Sequence, residues 1–313
     1  MEKWKVLGAL AALIALFILP TFLGNYSIFL LSMLAVYALV SIGLNLLMGF
    51  TGQIAAGHAG FLALGAYFTA ILGTKVEWMP CLLVLLLAGI FTGIIGFLLG
   101  IPILRLKGFY IAMATLAFGV VVSEIILQWS SLTNGDNGLD VPVATIAGFE
   151  FDSDYKLFYL IVSVTIILTL LAKNLVKGYI GRAFIALRES EVAAQTIGID
   201  LAKFKTIAFA ISAFYTGVAG GLFAYLITFL SPDAFTIELS VDFIAMIVIG
   251  GMGSILGSII GAVILTGMQQ ILAGLLDLQI LIFGISLIVF MIFMPKGISG
   301  MIFDLKERFL GSK

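Results

Sequence analysis

The chain has 313 residues, a mean hydropathy of +1.23, 62% hydrophobic and 11% charged residues, and a formal net charge of −1. Soluble domains carry about 25% charged residues, so this composition excludes an ordinary soluble enzyme or binding domain. One cysteine, Cys81, and one histidine, His58, exclude an intramolecular disulfide and a thiolate or His-based metal cluster.

Several apolar runs reach the roughly 18 to 20 residues that cross a bilayer as helix. Their backbone polar groups must be satisfied internally, which leaves helices or closed barrels. The runs are continuous, not alternating, so the expectation is an all-α polytopic membrane protein with 8–10 transmembrane helices in one domain over 1–313.

Lys3 and Lys5 precede an apolar run from Val6 to Leu19, which fits a signal peptide in outline. The run continues toward Leu23 and ends in Pro20 and Asn25 without a small-x-small cleavage site, so it reads as a retained first span. Ten candidate crossings follow in order: 6–23, 27–48, 56–73, 80–100, 109–128, 156–172, 204–229, 240–251, 256–273 and 278–294. The third and eighth are the weakest. Residues 49–60 carry four glycines with Gln53 and His58, and residues 250–261 carry five glycines. Both read as broken or re-entrant helices, tolerated at membrane depth only where protein covers them or they line a wet cavity. With both re-entrant, eight spans remain.

Glycines at four-residue spacing, namely Gly89/Gly93, Gly96/Gly100, Gly217/Gly221 and Gly253/Gly257/Gly261, predict flat helix faces in close contact. The loop 129–155 holds Asp136, Asp140, Glu150, Asp152 and Asp154 without a basic residue; Asp233, Glu238 and Asp242 form a second acidic group. Basic residues gather elsewhere. With an inner N-terminus, 14 of the 16 Lys and Arg residues fall on inner segments, and only Lys75 and Lys156 fall outside. The positive-inside rule therefore places both termini in the cytoplasm.

Intramembrane charge is nearly absent, Glu124 being the only acid well inside a predicted span. Ion-coupled transporters use several such groups, so a stand-alone secondary transporter is the weaker alternative. No G-x-x-x-x-G-K-[ST] sequence occurs, so the chain has no phosphate-binding loop of that kind. No catalytic set is recognisable.

The island Gly181 to Lys205 stands out against this background, with Arg182, Arg188, Glu189, Glu191, Asp200, Lys203 and Lys205. Good helix formers without proline predict one helix over 182–197, with Gly198 at its C-cap and an Arg188–Glu191 pair on its surface. Within it, Glu191-Val192-Ala193-Ala194 to Gly198 resembles the E-A-A-x-x-x-G loop of ABC-importer membrane subunits, with Val192 inserted.

The resemblance widens along the chain. Asn45 to Gln53, Gly57-His58 to Phe61 and Gly65-Ala-Tyr67 are similar to the element N-L-x-x-G-x-x-G-Q-x-S-x-G-H-x-x-F-x-x-x-G-A-Y. Leu106-Lys-Gly-Phe-Tyr110 with Thr115 to Phe118, Thr133 to Gly138, Gly250 to Ser254, and Met294-Pro-Lys-Gly297 complete the set. In order over about 40–300, these motifs resemble the branched-chain amino-acid ABC-importer permeases, M-type subunit. Two positions depart from the pattern: Ala55 stands where Ser is usual, and Ser258 where Pro is frequent.

The resemblance implies a permease subunit in a bacterial or archaeal plasma membrane, with no cofactor of its own and no nucleic-acid partner. Its partners would be a second homologous permease, two ATP-binding subunits that use the ATP, and a soluble substrate-binding protein outside. The loop 173–203 would couple to the ATPase through Arg182, Arg188, Glu189, Glu191, Ala193, Ala194 and Gly198. Asn45, Gln53, His58, Thr115, Gly251 and Ser254 are candidates for the translocation path or gate. Structural hydrogen bonding accounts equally for Asn45, Gln53 and His58. The same resemblance admits importers of urea or short amides.

Overall fold

The computed structural model describes residues 20, 23–76, 78–103, 106, 108–146, 148–272, 281, 282, 284, 285, 288, 292 and 297–301. The expected crossings 6–23 and 278–294 fall mostly outside them, as do Lys3, Lys5, Lys306 and Arg308.

The long helices in chain order are α1 (Asn25–Thr51), α2 (His58–Lys75), α3 (Cys81–Ile103) and α4 (Phe109–Gln128). The one-turn α5 (Ser130–Thr133) precedes strands β1 (Leu139–Asp140), β2 (Thr145–Ile146) and β3 (Phe149–Glu150). Then come α6 (Asp154–Lys177), α7 (Tyr179–Glu189), α8 (Glu191–Thr196), α9 (Leu201–Ile227), β4 (Phe229–Leu230), α10 (Ile237–Gly250) and α11 (Ile255–Leu272). Among the described residues six helices are long and apolar enough to cross a membrane: α1, α3, α4, α6, α9 and α11. The two weak crossings correspond to α2 and α10, the latter only 14 residues long.

The architecture is a polytopic helical bundle built around α9. This helix packs along α3, α2 and α1, and small residues set the separations. A methyl group on Gly65 would overlap the Gly217 backbone, one on Gly217 the Thr92 hydroxyl, and one on Gly96 the Ala213 side chain. Contacts this close replace the hydrophobic drive that is missing between helices in lipid. Gly253 leaves the expected ladder, because α11 starts only at Ile255 and Gly253 lies in the preceding turn at φ +79°. The close approach is made instead by Gly250, Gly257 and Gly261.

One end of the bundle gathers the acidic loops. There β1 pairs antiparallel with β4, β2 with β3, and Tyr155 donates to the Leu23 carbonyl. Lys156, which follows the acidic loop 129–155, donates to Asp152 at 2.5 Å and holds that carboxyl below the usual carboxylate range. Glu238 and Asp242 of the second acidic group both fall within α10. The Asp242 carboxylate accepts from Gln269 of α11 at 2.8 Å. The opposite end carries α7 and α8.

Candidate functional site

Both glycine-rich segments are breaks, and they meet. Helix α1 ends with Gly52 at φ +74°; Gly52 N–H donates to the Met48 carbonyl and Gln53 N–H to the Leu47 carbonyl. This leaves the Gly49 carbonyl among the helix-end acceptors that need a partner. Residues 52–57 then run without helix until α2 begins at His58. The second break, Gly251 to Ser254, separates α10 from α11, with Gly251 at φ +117°.

Asn45 joins the two. Its Nδ2 donates to the Ser254 carbonyl (2.9 Å) and the Ser258 hydroxyl (2.6 Å), while its Oδ1 accepts from Gly253 N–H (2.9 Å). Ser258, the residue that departs from the family pattern, thus supplies an acceptor that proline could not. Ala55, the other departure, is buried among apolar side chains, where a hydroxyl would need a partner of its own. The neighbouring polar candidates are also buried and mostly engaged. Thr115 Oγ1 accepts from Ala56 N–H (2.9 Å), His58 Nε2 lies 2.7 Å from Ser212 Oγ, and Gln53 Nε2 donates to Thr51 Oγ1 (3.2 Å). His58 Nδ1 and Gln53 Oε1 have no partner among the described residues.

The charged segment reaches this junction through one side chain. Arg188, near the end of α7, donates from Nη1 to the Gly49 carbonyl at 2.9 Å. Its stem lies against Gly52, and its guanidinium occupies the space that a side chain on Gly253 would need. A cation at the C-terminus of α1 also complements the helix dipole. The sequence pattern missed this because Arg188 and Gly49 are 139 positions apart.

Two expectations for the segment are corrected. The helix expected over 182–197 is broken at Ser190, whose extended backbone (φ −164°) and side-chain bond from Ala193 N–H (3.2 Å) make it the N-cap of α8. The break removes the three-residue helical spacing of Arg188 and Glu191. Arg188 pairs with Glu189 at 3.1 Å, and Glu191 pairs with Lys205 of α9 at 2.6 Å. Gly198 fulfils its expected role, at φ +86° just past α8, with its N–H bonded to the Gln195 carbonyl. Of the remaining residues, Arg182 donates to the Lys177 carbonyl at 3.3 Å, Ala194 is buried, and Ala193 is exposed. Val192 and Ile197 stand 75% and 73% exposed. Two large apolar side chains, one in α8 and one at its C-cap, flanked by Glu189, Glu191 and Gln195, form a surface suited to a protein partner.

A cavity of about 250 Å³ lies toward the acidic end, between α2, α4 and the start of α10. Ser123, Glu124, Asp233, Thr236 and Ser240 supply its polar wall. Ser240 Oγ accepts from Ala59 N–H at 3.0 Å. None of the polar path candidates from the sequence lines this cavity. The available signal was Glu124, the only acid well inside a predicted span. No group of three or more His, Cys, Asp or Glu able to hold a metal occurs among the described residues.

The chain is similar to the branched-chain amino acid transport permease LivM of Salmonella typhimurium, 34% identical over 89% of this chain and 71% of that protein. It is 33% identical to LivM of Escherichia coli K12 over 91% of this chain and 74% of that protein. It is 27% identical to the autoinducer 2 import permease LsrC of Escherichia coli O9:H4, over 89% of this chain and 86% of that protein. No solved structure matches the chain. The family model for permease components of branched-chain amino acid transport systems matches residues 26–294, and the chain belongs to that family.

Proposed function

We propose that this permease carries branched-chain or related hydrophobic amino acids inward, driven by ATP hydrolysed on partner subunits. The observation that carries the reading is the Arg188 junction. A surface-exposed charged segment, α7–α8, is wired by one guanidinium to the carbonyl end of α1 and to the turn between α10 and α11. The segment lies in the cytoplasm, as do both chain termini, and Val192, Ile197, Glu189 and Glu191 face the ATP-binding subunit. Arg182, Ala193, Ala194 and Gly198 shape the same docking element. Asn45, Gln53, His58, Thr115, Gly251 and Ser254 hold the two breaks together and act as the gate's pivot.

ATP binding moves the docked segment, and Arg188 passes the displacement to both breaks. Helix α10 then carries it to the other end. Its 14 residues span about 21 Å, from the Gly250–Gly253 turn to Ser240 and Thr236 at the outer cavity. A second permease completes the path, and a soluble binding protein delivers substrate to the acidic face.

The test uses the reconstituted complex of both permeases, the ATP-binding subunits and the binding protein. Val192→Asp places a charge on the exposed apolar face without entering the core. It is expected to abolish pull-down of the ATP-binding subunit and uptake together, at normal membrane abundance. Unchanged pull-down and uptake would show that the segment is only a connector.

A further inference from the structure

We propose that the cavity between α2, α4 and the start of α10 binds the transported solute itself, a small aliphatic amino acid held by both of its charged groups. This rests on the amino-acid import reading above and adds where the permease holds the solute and by which groups.

Two part-length helices begin at this cavity. Ala59 and Gly60 line it from the first turn of α2, and Thr236 and Ile237 from the start of α10. A helix start offers amides without intrahelical acceptors and the positive end of the dipole, so two starts at one cavity favour an anionic group. In membrane transporters such interrupted helices hold the solute's carboxylate at their N-termini. Ser240 adds a specific donor. It lines the cavity, is 3% exposed, and its oxygen already accepts from the Ala59 amide. No acceptor for its own proton is found among the described residues. Burying an unused donor is costly, and a ligand carboxylate would satisfy it.

The opposite charge is also present. Glu124 and Asp233 are exposed, line the same cavity, and take part in none of the ion pairs among the described residues. This chain's own cations lie elsewhere. Lys75 ends α2 about 22 Å along the helix from Gly60, and Lys156 is paired with Asp152. The apolar stretches 6–19 and 278–294 contain no Lys or Arg. Lys296 adjoins Gly297, which lies against Gly251 beyond the far end of α10. An ammonium group on the solute supplies the missing cation.

Leu116, Val120 and Ile237 form the apolar part of the wall. At about 250 Å³ the cavity lies below the roughly 300–1,000 Å³ of drug-sized sites, so its occupant is of amino-acid size. Urea and short amides carry no charge to match either group.

The experiment uses the complex of both permeases and the ATP-binding subunits in proteoliposomes, without binding protein or ATP. Val120→Cys in a Cys81→Ala background gives this chain one thiol, at the cavity wall, and its modification by a small methanethiosulfonate is followed by the mass of this chain. Leucine at ten times its dissociation constant is expected to slow the reaction about tenfold. Isocaproate, isoamylamine and urea lack the ammonium, the carboxylate or both, and should need far higher concentrations. Glu124→Gln should raise the leucine concentration required about tenfold or more; Asp136→Asn, exposed but outside the cavity, should not. A thiol that does not react, or no slowing by leucine, in a complex that imports leucine once binding protein and ATP are added overturns the site and leaves the import reading intact. Equal slowing by urea or isoamylamine, or an unchanged leucine requirement in Glu124→Gln, overturns it as well. If the unmodified complex with binding protein and ATP imports no branched-chain amino acid, the import reading itself fails.

Discussion

Arg188→Met isolates the junction. Methionine keeps an unbranched apolar stem that can still lie against Gly52, but it removes the donor to the Gly49 carbonyl and the charge at the end of α1. A hydrogen bond involving a charged group contributes about 1.5–3 kcal/mol. The side chain of Arg188 is 40% exposed and Glu189 competes for it, so the lower half of that range applies, about 2 kcal/mol. At 1.4 kcal/mol per factor of ten, this is about a thirtyfold change in the equilibrium between the linked and unlinked arrangements. The docking face at Val192 and Ile197 is untouched, so the ATP-binding subunits should still bind and hydrolyse ATP. Transport should fall about tenfold or more, and the substrate moved per ATP should fall with it. The assay is paired uptake and phosphate release in proteoliposomes. Arg188→Lys should recover part of the transport, since an ammonium can still reach a carbonyl but lacks the planar fork. Wild-type uptake per ATP in Arg188→Met would refute the transmission role. Loss of ATP-binding subunits from the complex would refute it differently, by showing that Arg188 belongs to the docking surface.

Further outcomes are expected. Glu191→Gln should lower thermal stability more than Lys205→Met, because Lys205 is 8% exposed and would keep a buried charge without its carboxylate; the half-exposed position of Glu191 holds the loss to about 1–2 kcal/mol, below the 3–5 of a fully buried pair, and melting of the purified protein measures it. Gly198→Val should strain the αL position at φ +86° by about 1–3 kcal/mol, lowering uptake and ATP-binding-subunit pull-down together at normal membrane abundance. Gly217→Leu should drive a side chain into Thr92 of α3 and cost at least about 1–3 kcal/mol, seen as loss of the folded protein from membranes. In a Cys81→Ala background, a cysteine at Val192 should resist an impermeant thiol reagent applied to intact cells, while one at Asp152 should react; labelling of position 192 from outside would invert the proposed orientation.

The helices were legible because apolar runs of membrane-crossing length have few alternatives, and both breaks were legible because four or five glycines interrupt those runs. The acidic loops were equally readable from charge alone. The break at Ser190 had a local signal, since serine ahead of Glu191 is a good N-cap, but strong helix formers on both sides outweighed it. The partners of Arg188 and Glu191 had no local signal. Surface pairing at three-residue spacing is the default for a continuous helix, and only tertiary packing brings Gly49 and Lys205 within reach. The cavity at the acidic end was hidden for the same reason: Glu124 and Asp233 belong to separate segments that α2 and α10 hold side by side.

The polar residues singled out from the sequence and those lining the cavity divide along a physical line. Asn45, Thr115 and His58 are buried and bonded to backbone breaks or to Ser212. Such bonds keep interrupted helices intact in a medium that offers no water to their free carbonyls and amides. Glu124, Asp233 and Thr236 are exposed and free of that duty, so they can meet a solute. The two sets are joined by α10, whose first turns border the cavity and whose following turn, at Gly253, meets Asn45 and Arg188. On the proposed reading such a permease needs no titrating carboxylate deep in the bilayer, because its driving force would arrive through Arg188 at one end of α10 and be used at the other. Ser240, at the cavity border, is the place where this link can be cut without touching the docking end. Its hydroxyl accepts from the Ala59 amide, tying α10 to the start of α2. Replacing it with alanine leaves a buried donor unpaired, at a cost of about 1–3 kcal/mol, while the docking segment, Arg188 and the cavity carboxylates stay as they are. Uptake should fall with ATP-binding-subunit binding intact; full uptake in Ser240→Ala would mean that α10 is not the connecting element.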